Sequence, residues 1–378
     1  MKRILIACDS FKDALGAVAV CQAIAKGIHQ SQSEWSCVSL PLADGGEGTA
    51  DILTHHAQGK QVEAASVDPL FRPMRGTYGL SKDGKQAFID MASCSGLQLL
   101  SPEERNPMLT TTYGTGLLLK DAINRQVQKI VLGIGGSATN DAGIGMAIAL
   151  GYQFLDKNGS PLNGVGGDLG AIASILPPDI SLPAIEVLCD VNNPLFGPTG
   201  AAYVYGPQKG ADPAAIMMLD KGLRHLGHLV HQQSGKDWSM LPGAGAAGGM
   251  GFAAKAFLNA RLRSGIETVL SYAQFEHHLA EADLIITGEG KIDHQTIHGK
   301  LISGICKQAA SSGTAVVALC GSLLASPTEI NEIGLQAAYS ILNRPMSLET
   351  ALSETSQLLT HAAAQLASIL SIPMFNQT

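Results

Sequence analysis

The chain has 378 residues, of which 46% are hydrophobic and only 15% charged, and its formal net charge at neutral pH is −7. This length and composition predict a globular protein with a large core, divided into about two domains. The negative charge, with no run of lysines or arginines, excludes the charge pattern of a nucleic-acid binder or of a protein that binds anionic membranes. We therefore expect a small-molecule ligand.

The cysteines and the first residues indicate the compartment. The seven cysteines are spread singly, without a Cys-x-x-Cys pair, which predicts reduced thiols instead of a disulfide framework or a zinc site. The basic start precedes an apolar run too short for a signal peptide, and Gly, Ser or Pro interrupts every apolar stretch before it reaches membrane-span length. We expect a cytoplasmic protein without a membrane segment, as a monomer or homodimer.

Both ends of the chain alternate between strand-like apolar runs and helical patterns, which is typical of parallel α/β units. Near the N-terminus the pattern predicts strands over 3–8 and 37–42 and helices over 17–29 and 49–57. Near the C-terminus it predicts strands over 283–287, 315–320 and 337–342 and helices over 297–310 and 348–369.

The middle of the chain has a different pattern. It predicts a hairpin with arms over 76–80 and 85–91, strands over 129–132 and 185–189, and helices over 116–124, 142–150 and 211–233. The simplest arrangement is one α/β domain made from both chain ends, residues 1–66 and 281–378, with a second α/β domain inserted at residues 67–280.

Glycine accounts for 43 of the 378 residues, and four glycine-rich segments also carry acidic or polar side chains, at 43–49, 133–141, 242–251 and 287–293. Glycine lets the backbone approach a ligand closely, so that N–H groups can converge on anionic oxygens. Four such segments together indicate phosphate chemistry.

Two glycine patterns resemble nucleotide-binding motifs. Residues 79–86 come close to a Walker P-loop, but the last position is Gln and the segment joins two strand-like runs, so a hairpin turn is the better interpretation. Gly133, Gly135 and Ala138 have the spacing of a dinucleotide fingerprint, with Asp156 further along. A NAD-dependent hydroxy-acid oxidoreductase therefore remains an alternative.

The loop after the first predicted strand contains Ser10 and Lys12. Open α/β sheets bind ligands at this end of their strands, and Lys12 is a candidate to hold a substrate carboxylate or a transferring phosphoryl group. The alternative is that Asp9 or Ser10 caps a helix and that Lys12 lies on the surface.

Two further segments are candidate anion-binding loops. Asp44, Gly45 and Gly46 follow a predicted strand and open a helix, so their backbone N–H groups and acids would lie at one sheet edge; the alternative is an ordinary capped helix. The other segment resembles an anion nest at a helix N-terminus, or else allows close packing of a helix on the sheet. Its candidate residues are Gly135, Gly136, Ser137, Thr139 and Asn140.

Acids at two strand ends could carry the chemistry. Asp190 ends a buried strand before an Asn-Asn-Pro turn, which makes it a candidate general base for a hydroxyl proton, with a turn cap as the alternative. Glu289, Lys291 and Asp293 lie at the exit of another strand. Acids can hold Mg²⁺ while lysine offsets triphosphate charge, so this segment predicts a metal–phosphate site unless Asp293 only caps the next helix.

Taken in order, these motifs resemble the bacterial glycerate kinase family, type 1, the glycerate 2-kinases. The resemblance extends from the first strand to the last helix, and several motifs in one order are more specific than any single glycine loop. The motifs are at residues 9–12, 41–49, 133–141, 189–194, 205–210, 242–251 and 286–293.

The resemblance implies ATP- and Mg²⁺-dependent phosphorylation of D-glycerate at the 2-hydroxyl. It also implies a flavodoxin-like parallel-sheet domain formed by both chain ends, with a mixed α/β domain inserted. In that reaction Asp190 would be the base and Lys12 a charge partner, and the 3-hydroxyl product or a non-catalytic metabolite-binding module remain alternatives. The metal candidates are Asp44, Glu289 and Asp293, and the nucleotide candidates are Ser10, Gly288, Lys291 and the two anion-binding loops.

Overall fold

The computed structural model describes residues 2–294, 296 and 300–372. The chain folds into two compact units, which we call the first unit (Met1–Asp44 with Ile266–Thr378) and the second unit (Gly45–Gly265). Residues 45–66 thus belong with the second unit and residues 266–280 with the first. The domain boundaries drawn from the sequence, after residues 66 and 280, stay a prediction.

Both units contain β-strands. In chain order they are β1 (Arg3–Cys8), β2 (Ser36–Ser39), β3 (Lys60–Val67), β4 (Pro73–Leu80), β5 (Gln86–Asp90), β6 (Lys129–Gly133), β7 (Gln153–Leu155), β8 (Ser174–Leu176), β9 (Ala184–Leu188), β10 (Arg261–Arg263), β11 (Leu284–Ile292), β12 (Ala315–Leu323) and β13 (Ala337–Ser340).

The helices alternate with these strands. They are α1 (Ala17–Ser31), α2 (Thr49–His56), α3 (Ala92–Ser95), α4 (Tyr113–Asn124), α5 (Ile144–Ala149), α6 (Ala201–Tyr205), α7 (Pro213–Ser234), α8 (Ala246–Ala256), α9 (Gly265–Tyr272), α10 (Phe275–Leu279), α11 (Lys300–Ser312), α12 (Pro327–Ile333), α13 (Leu348–Ser353) and α14 (Thr355–Leu370). The predicted start of the helix over 297–310 lies outside the described residues. Within the described part of the chain, none of the helices is long and apolar enough to cross a membrane.

The first unit contains a fully parallel sheet in the order β13-β12-β11-β1-β2. Numbered within this unit, the strands have the flavodoxin-like order 2-1-3-4-5, which confirms the predicted fold class. The order reverses between β1 and β11, and sheets of this kind bind ligands beside that point, at the carboxyl ends of the strands.

Helices α1 and α14 pack closely against each other in the first unit. The apolar residues of α1 recur at helical spacing, and Val20, Ile24 and Ile28 are buried in the core that α1 shares with α14 and the sheet. A Cβ atom at Gly27 would lie 2.1 Å from the carbonyl oxygen of Thr360 in α14. The missing side chain therefore sets the distance between the two helices.

The second unit contains a mixed sheet in the order β10-β9-β6-β5-β4-β3. Strands β4 and β5 pair antiparallel, as predicted for the hairpin, and β3 adds a further antiparallel pairing with β4. Strands β5, β6, β9 and β10 pair parallel. This confirms the predicted mixed α/β architecture. The parallel half brings the carboxyl ends of β5, β6 and β9 to one edge, and the next residues there form the candidate site described below.

Candidate active site

Four acids gather at the carboxyl edge of the first unit's sheet. Asp9 directly follows β1, Glu289 lies in the last part of β11, and both experience the charge of Asp44, while Glu289 also experiences that of Asp293. The Asp9 N–H donates to the carbonyl oxygen of Gly288 at 3.0 Å. The structure thus brings the three acids predicted for the metal site, together with Asp9, to the point where the strand order reverses.

Strand β11 is longer than the sequence predicts, so Glu289 and Lys291 lie within the sheet and not in a loop after it. Lys291 and Ile292 pair in register with the end of β12. A Cβ at Gly321 would lie 2.6 Å from the carbonyl oxygen of Gly290, so the strands can continue side by side because these positions lack side chains. Gly290 and Gly321 therefore allow the sheet to extend beyond its predicted end.

The carboxylates of this edge repel one another. Burial, together with the charge of Asp44, raises the pKa of Asp9 to about 7, although the Ser10 N–H donates to Asp9 Oδ1 at 2.6 Å and favours ionisation. Burial and the neighbouring acids also raise the pKa of Glu289 to about 7, against a hydrogen bond of 3.0 Å from the Thr296 hydroxyl. A bound cation would relieve this repulsion.

The basic candidates lie at the rim of the same edge. Lys12 is exposed, and its backbone N lies near Gly290, where a Cβ would come within 3.5 Å. Lys291 is exposed as well, and its ammonium group pairs with Asp293 at 2.6 Å. Both lysines can therefore reach an anionic ligand at this edge without losing buried contacts.

Within residues 2–294, 296 and 300–372, no group of three or more His, Cys, Asp or Glu side chains is arranged to hold one metal ion. Mg²⁺ at phosphate-binding sites is commonly held through one or two carboxylates together with phosphate oxygens of the ligand. The oxygen donors of Asp44, Glu289 and Asp293 suit such a shared site, in which a phosphate ligand would supply the remaining donors.

The second unit has its own set of candidate residues at its sheet edge, and Asp190 after β9 is central to it. Asp190 is half-buried, and its Oδ1 accepts a hydrogen bond of 3.0 Å from the N–H of Gly265. Its Oδ2 faces Gly45, where a Cβ would lie only 2.8 Å away. The carboxylate is therefore fixed on one oxygen and lies against glycine backbone on the other.

The loop around Gly45 and Gly46 also meets the glycine loop after β6. A Cβ at Gly135 would lie 3.0 Å from the Cα of Gly46, and Gly136 adopts a φ of +70°, which favours glycine. Four of the predicted anion-binding glycines and Asp190 thus come together. Backbone approaches of this kind can expose N–H groups to an anion.

Asp90, at the carboxyl end of β5, anchors this loop and was not identified from the sequence. Its Oδ2 accepts hydrogen bonds from the N–H groups of Gly48 (2.9 Å) and Ala50 (3.2 Å), at the start of α2. Its Oδ1 is buried without a partner among the described residues. Burial raises the pKa of Asp90 to about 7, so near neutral pH it is partly protonated.

The segment from Ser137 to Asp141 is mostly buried. Ser137 is 8% exposed, whereas Thr139, Asn140 and Asp141 have no exposed surface. Asp141 accepts hydrogen bonds from the backbone and hydroxyl of Thr112 at 2.8 and 2.7 Å. The protein therefore encloses the Thr139 and Asn140 side chains completely, whereas Ser137 keeps a small exposed surface.

Lys209 is a second candidate site residue that was not identified from the sequence. It ends a 3-10 helix at Pro207–Lys209 and is 1% exposed. Its ammonium group donates to the Ser137 hydroxyl at 2.7 Å and to the Thr139 carbonyl oxygen at 2.6 Å. The only sequence signal was a lysine inside the glycine-bounded segment 206–210, and its burial could not be inferred from that pattern.

The dinucleotide-like pattern has a different local structure from a Rossmann turn. Strand β6 ends at Gly133 and helix α5 begins only at Ile144, so ten residues lie between them. In a dinucleotide fingerprint the helix begins within the glycine motif itself. Asp156 accepts from the N–H groups of Asn158 and Ser160 within its own turn. The acid that would bind a ribose is therefore engaged locally.

Comparison with known proteins identifies the same relatives across the whole chain. The family model described as "Glycerate kinase family" matches residues 4–371. A glycerate kinase of Halalkalibacterium halodurans is 44% identical over 98% of this chain and 99% of its own length. The glycerate 2-kinase of Escherichia coli is 41% identical over 99% of each chain.

A solved structure agrees with these relatives. The crystal structure of a candidate glycerate kinase 2 from Salmonella typhimurium LT2 superposes with a TM-score of 0.88 at 42% sequence identity and covers 99% of each chain. The agreement extends over both units, since so little of either chain is left out.

Proposed function

The chain belongs to the glycerate kinase family, and on this basis we propose that it is an ATP-dependent kinase that phosphorylates D-glycerate at the 2-hydroxyl to give 2-phosphoglycerate. The match over residues 4–371 carries the proposal, because it includes the residues of both candidate edges. The Escherichia coli relative is named a glycerate 2-kinase, which supports the choice of the 2-hydroxyl.

Asp190 is the proposed general base. As the 2-hydroxyl oxygen attacks the γ-phosphorus, its proton passes to the Asp190 carboxylate, and the bond from the γ-phosphorus to the bridging oxygen breaks to leave ADP. The hydrogen bond from Gly265 holds one carboxylate oxygen. The glycine at position 45 leaves backbone, with no side chain, beside the other, which suits a small hydroxy acid.

Most of the remaining catalysis is alignment and charge stabilisation, since phosphoryl transfer needs little covalent help from the protein. The backbone around Gly45, Gly46, Gly135 and Gly136 is the proposed anion cradle of the second unit. The two glycine loops pack closely, since a Cβ atom at Gly135 would lie 3.0 Å from the Cα of Gly46. Their N–H groups can therefore point at anionic oxygens without interference from side chains.

The acidic edge of the first unit is the proposed site for Mg²⁺ and the triphosphate. One or two of the three metal candidates, Asp44, Glu289 and Asp293, would hold the ion directly. The anionic groups of the substrates would be contacted by Ser10, Gly288, Lys12 and Lys291. When bound, Mg²⁺ would neutralise charge on the phosphate oxygens. Burial and, after it, the charges of Asp9, Asp44 and Asp293 raise the pKa of Glu289, and a cation at this edge would offset those charges.

The test is a coupled assay in which enolase is the only coupling enzyme. Purified protein, ATP, Mg²⁺ and D-glycerate are mixed, and phosphoenolpyruvate formation is followed. Enolase uses 2-phosphoglycerate directly, so we expect a signal without added phosphoglycerate mutase. A signal that requires mutase would show transfer to the 3-hydroxyl. If no phosphoenolpyruvate forms with or without mutase, and no ADP is produced, the kinase assignment is wrong.

A further inference from the structure

Lys209 is a buried lysine whose ammonium group contacts the Ser137–Asp141 segment, which we call the serine loop. Burial lowers the pKa of Lys209 to about 7, although the charge of Asp141 favours its protonated form. Burying a lysine is costly unless the group is paired and hydrogen-bonded. A lysine used only to fill space at this position would be a poor choice for stability.

The direction of the hydrogen bond between Lys209 and Ser137 decides whether the Ser137 hydroxyl can donate to another group. In its protonated form, which the charge of Asp141 favours, Lys209 has hydrogen-bond donors and no acceptor, so in the contact of 2.7 Å the Ser137 oxygen accepts. The Ser137 hydrogen must then point to another group. Among the described residues, no acceptor for it is found.

The same loop contains further polar atoms that lack partners. The hydroxyl of Thr139 and both side-chain polar atoms of Asn140 are buried without hydrogen bonds among the described residues. Buried polar groups are usually satisfied, so such a cluster calls for an explanation such as a ligand or ordered water. Ser137 is the member of the cluster with exposed surface, so a ligand would meet it first.

We propose that Lys209 is a positioning residue: by donating to the Ser137 oxygen, it makes the Ser137 hydroxyl a hydrogen-bond donor to an anionic oxygen of a bound substrate. The inference rests on the proposed function for the identity of the substrates. The shared chemistry is an anionic oxygen, which either the carboxylate of D-glycerate or a phosphate of ATP can supply. The donation to Thr139 O holds the loop in place for this contact.

The test measures the binding of D-glycerate and of ATP separately by titration calorimetry, in the unsubstituted protein, Lys209→Met, Ser137→Ala and the double variant. Lys221→Met is the matched control, because Lys221 is an exposed lysine of the same unit. We expect both single substitutions to raise the Kd of the same substrate about 10- to 100-fold, the loss typical of a charge-assisted hydrogen bond, and to change the other Kd less than threefold. The double variant should bind no more weakly than Lys209→Met.

The substrate affected identifies the source of the anion: D-glycerate indicates a carboxylate, and ATP a phosphate. Unchanged binding in either single variant, equal weakening of both substrates, or additive losses in the double variant would overturn the proposal. If Lys209→Met does not fold, Ser137→Ala decides, because the proposal requires that variant to lose affinity for one substrate. The calorimetry measures binding without turnover. A protein that binds substrate but is inactive would therefore overturn only the kinase assignment, and the role of Lys209 could still be tested. A protein that binds neither substrate would overturn both the kinase assignment and the role of Lys209.

Discussion

A Cβ atom at Gly45 would lie 2.8 Å from Oδ2 of Asp190 and 2.8 Å from the Cα of Gly265. Gly265 is also the residue whose N–H holds the other oxygen of Asp190. The position of the proposed base therefore depends on the absence of a side chain at residue 45.

Gly45→Ala should displace the Asp190 carboxylate and lower kcat at least tenfold. The variant also forces alanine into a φ of +95°, which should cost about 1–3 kcal/mol of folding stability. Steady-state kinetics and urea unfolding measure the two effects separately.

Gly84→Ala is the matched control for this substitution. Gly84 has a φ of +71°, but a Cβ there has no neighbour within 4 Å. We expect a similar loss of stability with kcat unchanged. Equal kcat values for Gly45→Ala and Gly84→Ala would contradict the packing of Gly45 against the base.

Asp90→Asn should change the pH dependence of stability. The pKa of Asp90 rises from 3.8 to about 7 on folding, so the folded chain binds more protons than the unfolded chain between these values, and the stability contributed by Asp90 is lost as pH rises through about 7. Asparagine can still accept from Gly48 and Ala50 but does not ionise. The free energy of unfolding of Asp90→Asn, relative to the unsubstituted protein, should increase from pH 4 to pH 7 by at most about 4 kcal/mol.

Urea unfolding at several pH values checks this prediction. Asp179→Asn serves as the control for the loss of one carboxyl group, because Asp179 is exposed in the same unit. Other groups that titrate near neutrality, such as Asp9 and Glu289, are present in every protein compared and cancel in the difference. A flat difference for Asp90→Asn would mean that its carboxyl is not buried as described.

Gly27→Ala should destabilise the first unit by separating α1 from α14. The added Cβ meets the backbone of Thr360 at 2.1 Å, and backbone cannot give way as a flexible side chain can, so we expect a loss of about 1–3 kcal/mol. Gly16→Ala, where a Cβ has no neighbour within 4 Å, is the control. Thermal unfolding that is equal for the two variants would contradict the close packing of these helices.

The fold follows from the sequence where the patterns are strong. Apolar runs such as 3–8 and 315–320 predicted buried parallel strands, and β1 and β12 confirm them. Strand β3 was missed because only alternate residues of its polar sequence, KQVEAASV, are buried. The single helix predicted over 348–369 is two helices, α13 and α14, which meet at Glu354.

The candidate site was only partly predictable for a different reason. Acids and glycines at strand ends can be recognised from sequence, and the structure brings Asp190, Gly45 and Gly135 into one neighbourhood. The roles of Asp90 and Lys209 depend on burial and on partners far along the chain. Asp90 in particular lay in a predicted hairpin arm, and its parallel pairing with β6 places it at the carboxyl edge of the parallel strands.

The proposed role of Asp190 as general base is tested most directly by the turnover of Asp190→Asn. Asparagine keeps an oxygen that can accept from the Gly265 N–H but cannot take up the hydroxyl proton. Loss of a general base typically costs about 10²- to 10⁴-fold in rate, so kcat should fall by that factor while the Kd of ATP changes less than threefold, and Asp179→Asn should match the unsubstituted protein. A kcat for Asp190→Asn within a few-fold of the unsubstituted value would contradict the account.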